Sequence, residues 1–317
     1  AGGTVGGGVK ENNFLGRGIK LDANLQVSET AIRGKFSVVN PNYNYSGNEI
    51  RFTAESTRTS KMTTFGYDST KTGFSLGTTF EQYEDIFISP DLSTYYESLS
   101  TNDNASNALK QQEGSYIDTE LKYSIIQDKR DQSFKPTEGY RASFNQKLPL
   151  YSESPSLLNG MDFSAYHSFS DNFIGSLRFH GRAINSLSSS EDVKLSERLS
   201  IPGRYLRGFE VGKIGPVDAS DYIGGNYVTA LGFNAALPKL LPNLTNADVS
   251  LFLDTGNVWG IDYDTNIDES NELRSAVGVS VDWFTPIGPL SFSFSEAITS
   301  ASTDKPESFR FNIGTTF

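Results

Sequence analysis

Residues 117–125 read Ile-Asp-Thr-Glu-Leu-Lys-Tyr-Ser-Ile, and their alternation decides the fold. Ile117, Thr119, Leu121, Tyr123 and Ile125 interleave with Asp118, Glu120, Lys122 and Ser124. Successive side chains of a β-strand point to opposite faces, so this stretch has one apolar face and one charged face. The same period of two returns on either side. Ile19, Leu21, Ala23, Leu25 and Val27 alternate with Lys20, Asp22, Asn24 and Gln26, and Tyr140, Ala142, Phe144 and Leu148 with Arg141, Ser143, Asn145 and Lys147. Leu273, Val277, Val279, Val281 and Trp283 alternate with Arg274, Ser280 and Asp282, and Leu290, Phe292 and Phe294 with serines. No segment has a convincing helical period. About fifteen such segments recur, roughly one per 20 residues, too regular for a mixed fold and too many for one sandwich.

Alternation alone also fits a soluble sandwich or lipocalin, with the apolar face inside and the charged face in water. Strand number separates the two. A barrel of about sixteen strands has a lumen too wide for side chains to fill, so its inner face is polar and its outer face meets lipid. The connections agree. "ENNFLGRG", "NPNYNYSGN", "TFEQYED", "KPTEG", "FSDN" and "FTPIGP" are short, whereas Thr57–Thr70, Ser98–Gly114, Leu187–Gly224 and Gly260–Glu272 are longer polar stretches. Short turns at one end and long loops at the other characterise an outer-membrane barrel. The expected fold is therefore all-β: a single transmembrane, antiparallel up-and-down β-barrel of the sixteen-strand type over residues 1–317, with about fifteen strands in this chain.

Composition excludes the competing classes. Of 317 residues 37% are hydrophobic, mean hydropathy is −0.38, and no apolar run approaches the roughly 18 residues of a spanning helix. Twenty-two Phe, 15 Tyr and 29 Gly are too many for a disordered chain. A formal charge of −11 without a basic stripe argues against a nucleic-acid partner. No cysteine is present, which removes disulfides and thiolate metal sites, and no metal or cofactor is expected. The opening "AGGTVGGGVKENNF" has no signal-peptide character, so further sequence is expected upstream.

One stretch carries more than alternation. From about Leu187 to Gly224 the chain is glycine-rich and basic in an otherwise acidic protein, with Gly203, Gly208, Gly212, Gly215 and the pair Gly224–Gly225 around Arg204, Arg207 and Lys213. It has no phosphate-loop pattern and no strand-to-helix context. It is either a surface loop or a loop folded into the lumen, where Arg207 could meet an inward carboxylate.

Within it, "YLRGF" is followed by "GKIGP", "GGNY", "LFLDTGNVWG", "FTPIGPL" and the terminal "FRFNIGTTF". Together with "GVKENNFLGRG", "SVVNPNY" and "DKRDQSFKPTEGYR", these motifs resemble, in order and along the whole chain, the barrel of the BamA-type outer-membrane assembly family. The resemblance implies a bacterial outer-membrane insertase that folds and inserts other β-barrels through a lateral gate between first and last strands. It implies a lid motif at Leu206, Arg207, Gly208 and Phe209, loop-exit glycines Gly224 and Gly225, and Asp254 as lumen partner of Arg207. Parity supports Asp254 independently, because Val249, Leu251 and Leu253 take the lipid side and Ser250, Phe252 and Asp254 the lumen side. Where the family has a second acid, this chain has Asn234.

Phe309, Phe311, Ile313 and Phe317 alternate outward on the terminal strand, which resembles both the family's assembly signal and one side of its gate. Gly314 would weaken pairing there. The start of the chain matches the family's second strand, so one strand and the periplasmic POTRA domains are expected upstream. Implied partners are unfolded outer-membrane clients, assembly lipoproteins reached through those domains, periplasmic chaperones, membrane lipid and lipopolysaccharide.

Other classes stay in view: a TamA-like or two-partner secretion translocation barrel, a passive porin, or an outer-membrane enzyme. The two histidines are His167, on the lipid-side register, and His180, on the lumen side with Arg178 and Arg182. Neither comes with a nucleophile and orienting acid in the sequence, so no enzyme and no catalytic residue are expected.

Overall fold

The alternating segments form strands, and the longest, Tyr67–Tyr83 with 17 residues and Ile86–Thr101 with 16, exceed the roughly 9–11 residues that cross a bilayer. The computed structural model describes residues 5–190, 192–238, 240–241, 246–263, 267, 271–285 and 288–313. In chain order the strands are β1 (Val5–Phe14), β2 (Ile19–Val27), β3 (Ala31–Asn40), β4 (Glu49–Lys61), β5 (Tyr67–Tyr83), β6 (Ile86–Thr101), β7 (Gly114–Asp128), β8 (Gly139–Tyr151), β9 (Ser156–Ser170) and β10 (Phe173–Ser186). A two-residue hairpin follows, β11 (Val217–Asp218) with β12 (Asp221–Tyr222), then β13 (Tyr227–Leu237), β14 (Ala247–Trp259), β15 (Arg274–Thr285), β16 (Gly288–Thr299) and β17 (Phe309–Ile313). Apart from the hairpin, all join one 15-stranded sheet in sequence order, every neighbouring pair antiparallel. Among the described residues β1 pairs only with β2 and β17 only with β16, so these are the terminal strands of the sheet.

The faces are inverted relative to a soluble protein. On β5, Phe74 and Leu76 are each 56% exposed while Ser75 between them is 8% exposed. On β14, Leu251 and Leu253 are exposed, whereas Ser250, Phe252 and Asp254 are buried. Inward Glu97, Asp118, Glu120, Lys147, Ser280 and Arg310 are buried, and outward Ile117, Ile125, Phe144, Phe233, Val277 and Phe309 are exposed. A soluble sandwich would bury the opposite set. Exposed apolar and buried polar residues on the same strands fit a barrel whose outer face meets lipid.

Three connections are shorter than the composition suggests. Thr57–Thr70 reads as a polar loop, but β4 and β5 stay paired up to Lys61 opposite Tyr67, which leaves residues 62–66 as the turn. "TFEQYED" likewise reduces to residues 84–85 between Tyr83 and Ile86. Polar side chains mark where lipid ends, and a ladder closed by its own backbone hydrogen bonds continues beyond that point. Ser98–Gly114 narrows to residues 102–113, which include the single-turn helix α1 (Asn107–Lys110).

Candidate functional site

The connection from β10 to β13 turns into the lumen and touches both walls. It is packed rather than a loose surface loop, with two small apolar clusters. Leu195 and Ile223 pack with Tyr67, Leu99, Ala105 and Leu109, and Leu206, Phe209, Ile201 and Ile214 pack with Val228, Ala230, Val258 and Ala276. The exit is fixed by backbone. Leu199 and Gly225 form an antiparallel bridge, Gly224 has φ +73°, and a Cβ on Gly225 would stand 2.4 Å from the Trp259 carbonyl oxygen, so the glycine pair is required sterically.

The first half is held by charge. Lys194, 2% exposed, donates from Nζ to Asp118 Oδ2 (2.5 Å) and Glu97 Oε2 (3.3 Å), on β7 and β6. Ser69 donates to Glu97 at 2.7 Å and Ser152 to Asp118 at 2.5 Å, which satisfies the remaining carboxylate oxygens. One 3-10 turn on, Glu197 accepts from Lys147 Nζ (2.5 Å) and Ser156 Oγ (2.7 Å) on β8 and β9. Burial alone would raise the Glu197 pKa, but Lys147, Lys194 and those hydrogen bonds outweigh it and pull the carboxyl down to about 2. Burial works against the Lys194 charge too, and Glu197, Glu97 and Asp118 overcome it, raising its pKa.

A pH dependence follows. A carboxyl depressed in the folded state stabilises it above the ordinary value of 4.5, and that contribution disappears as pH falls towards about 2. Limited proteolysis of the lid should therefore accelerate between pH 4.5 and 2, with acid-active pepsin as probe. Glu197→Gln should flatten that profile; a variant with the wild-type slope would exclude Glu197 as its source.

The second half carries the arginine motif. Leu206 and Phe209 are 3% and 1% exposed and point into the apolar cluster. Between them Arg207 reaches β14. Its backbone N–H donates to Asp254 Oδ2 (3.0 Å), Nε to Oδ2 (2.7 Å) and Nη2 to Oδ1 (2.9 Å). The guanidinium carbon lies 3.5 Å from the centroid of the Phe252 ring. Gly208 has φ +90°, and a Cβ there would sit 2.4 Å from Ala276 Cβ, so both conformation and contact demand glycine. Asn234 lies on β13 opposite Phe252 and Ser176, and Asp254 alone takes the three hydrogen bonds given above. Next to the motif Tyr205 stacks on His180 at 4.4 Å, and His180 Nδ1 shares a hydrogen bond with Asp162 Oδ1 at 2.7 Å. His180 is thus packed in the wall, while the His167 side chain is exposed beside Glu138.

The terminal strand also meets the lid. On its outer face Phe309 packs in a tilted pair with Phe294 (5.0 Å between centroids) and Phe311 with Phe292 (4.9 Å). Ile313 ends β17, and Gly314 and Phe317 lie outside the described residues. Lys194, Glu197 and Arg310 were not legible as lid anchors. The signal available for the first two was the inward pair Asp118 and Glu120, carboxylates on a wall that needs cations.

Chemically the site is a lock. Charge pairs and glycine contacts seat a loop against both sides of a lumen. Among the described residues no group of three His, Asp or Glu side chains could hold a metal ion. The sequence matches the Omp85 superfamily domain over residues 13–317. It is 26% identical over 323 residues to outer membrane protein assembly factor BamA of Nitratidesulfovibrio vulgaris, covering 98% of this chain and 39% of that protein. With the BamA of Neorickettsia risticii it shares 27% identity over 219 residues, 67% of this chain and 29% of the relative. The chain therefore spans well under half the length of these relatives. In fold it is similar to a crystal structure of BamA from Haemophilus ducreyi lacking POTRA domains 1–3, with TM-score 0.87, 22% identity, and coverage of 97% of this chain and 66% of that one. CdiB from Acinetobacter baumannii is similar at TM-score 0.58 and 14% identity, covering 97% of this chain and 55% of that one. The domain match across nearly the whole chain and the shared barrel give one conclusion: the chain belongs to the Omp85 superfamily, as a β-barrel of the bacterial outer membrane.

Proposed function

We propose that this barrel folds and inserts other β-barrel proteins into the outer membrane, by a lateral gate at its terminal strands and without a chemical step. The observation that carries the reading is a lumen occupied by its own charge-locked lid, which is hydrogen-bonded to the segment that enters the terminal strand β17. A passive porin needs an open water path. An insertase needs strand edges. In hydrocarbon an unpaired backbone N–H or C=O costs several kcal/mol, so an edge that opens sideways attracts a client strand by β-augmentation. Weak pairing favours such opening. The relatives named as assembly factors agree with this reading.

On this reading the partners are unfolded outer-membrane clients, with periplasmic chaperones and assembly lipoproteins acting through the rest of the protein, and membrane lipid and lipopolysaccharide around the barrel. A translocation barrel is the second reading, favoured by the similarity to CdiB. The experiment is reconstitution of the complete protein in liposomes with an unfolded client barrel. Wild type should convert the client to its protease-resistant, heat-modifiable form. A disulfide joining β17 to the first barrel strand should abolish conversion, and reductant should restore it. Conversion unaffected by the lock would sink the gate. Passage of client into the liposome interior, with none inserted, would establish translocation instead.

A further inference from the structure

The lid is fastened to the terminal strand as well as to the walls. Arg310 of β17 faces the lumen and is 5% exposed. Its Nε donates to Glu307 Oε2 (2.7 Å), its Nη1 to the Gly203 carbonyl (2.8 Å) and its Nη2 to the Phe209 carbonyl. The two carbonyls flank Arg207 and belong to the lid. The backbones meet beside them. Glu307 N–H donates to the Gly208 carbonyl (2.9 Å), Glu210 N–H to that of Lys305 (2.8 Å) and Lys305 N–H to that of Lys213 (3.1 Å), with Phe209 bridged to Pro306. The segment entering β17 is anchored from behind by Arg274 and Asp304, an ion pair with both side chains fully buried (2.9 Å).

We propose that Arg310 is a positioning residue that latches the lid to the terminal strand, so that the seat of the Arg207 motif and the placement of that strand edge are one coupled state. Arginine suits the task because a planar fork reaches two carbonyls and a carboxylate at once, which a lysine ammonium does not. The location matters because β17 ends the sheet among the described residues, and these contacts tie that strand to the lid from within the lumen. The consequence for client entry rests on the insertase reading; the latch itself does not.

The test is hydrogen–deuterium exchange on the complete protein in phosphatidylcholine vesicles, following peptides over residues 309–313 and 203–210, with residues 69–75 as internal reference. Arg310→Gln should speed exchange in both followed segments roughly tenfold or more, the scale of losing charge-assisted hydrogen bonds to buried carbonyls. Arg310→Lys should fall between. Gly203→Ala approaches from the lid side, because its Cβ would stand 2.9 Å from Arg310 Nη1 as well as 2.7 Å from Val211 Cγ2 within the lid, and it should loosen 309–313 from more than a hundred residues away in sequence. Wild-type exchange at 309–313 in Gly203→Ala overturns the latch, and Gly203→Ala decides the matter if Arg310→Gln does not fold. Faster exchange at 309–313 in Arg310→Gln with an unchanged lid also overturns it, leaving a local strand contact. Client assembly in the same vesicles is scored separately. Failure there with wild-type protein counts against the insertase reading, while exchange alone judges the latch.

Discussion

Asp254→Ala should unseat the lid. Asp254 is fully buried, and all three of its hydrogen bonds from the lid come from Arg207. Removing one partner of a buried pair typically costs about 3–5 kcal/mol, because the remaining charge loses its compensation without regaining water. The expected result is a lower temperature of loss of heat-modifiability, with trypsin cutting at Arg204 and Lys213 in a lid that resists it in wild type. Arg207→Ala should act in the same direction, somewhat more mildly, since a lone Asp254 keeps the Arg207 backbone N–H as a donor. Reversing the pair as Arg207→Asp with Asp254→Arg should recover part of the loss. Recovery is incomplete for three reasons. The backbone donor would face a cation, the contact with the Phe252 ring would be lost, and Arg178 stands across the Gly232 gap from position 254. Wild-type lid protection in Asp254→Ala would refute the pairing as the lid's anchor.

What the sequence made legible is what a short-range period encodes. Residues 117–125 declare their two faces without reference to anything distant, and the sheet keeps those faces. Strand ends were less legible. Polarity at Thr57–Thr70 reports departure from lipid, while the ladder of β4 with β5 depends on backbone bonds that any residue can make. The lid anchors divide in the same way. Arg207 stood out because it sits in a compact motif with glycines at obligatory positions. Lys194 sits in the unremarkable run Lys-Leu-Ser-Glu-Arg, and Asp118 and Glu97 lie 76 and 97 residues away. Arg310 occupies an inward position where parity asks only for a polar side chain, and its partners on the lid are main-chain carbonyls that carry no sequence signature. Contacts to backbone leave no trace in side-chain pattern, so only the folded loop reveals them.

The largest effect away from the arginine motif is expected at Lys194. Lys194→Met removes the single ammonium that lies between Glu97 and Asp118, whose side chains are 3% and 8% exposed. Two carboxylates would then share a nearly dry site with Glu120 and Glu197 close by, so like-charge repulsion adds to the loss of compensation. A cost of about 3–5 kcal/mol at neutral pH is expected. Charge balance is the diagnostic, because a neutral amide in place of one stranded carboxylate removes the repulsion. Asp118→Asn placed on Lys194→Met should soften the defect, while Asp118→Asn alone harms the wild type. That non-additivity separates a charge-balanced anchor from one held by packing. Asp254→Ala combined with Lys194→Met gives the complementary test, because the two anchors engage different strands, β14 against β6 and β7, and share no hydrogen-bond partner. Independent anchors should add to within about 0.5 kcal/mol. A double variant no worse than the poorer single one would instead mean that the lid leaves both walls as a unit once either is broken.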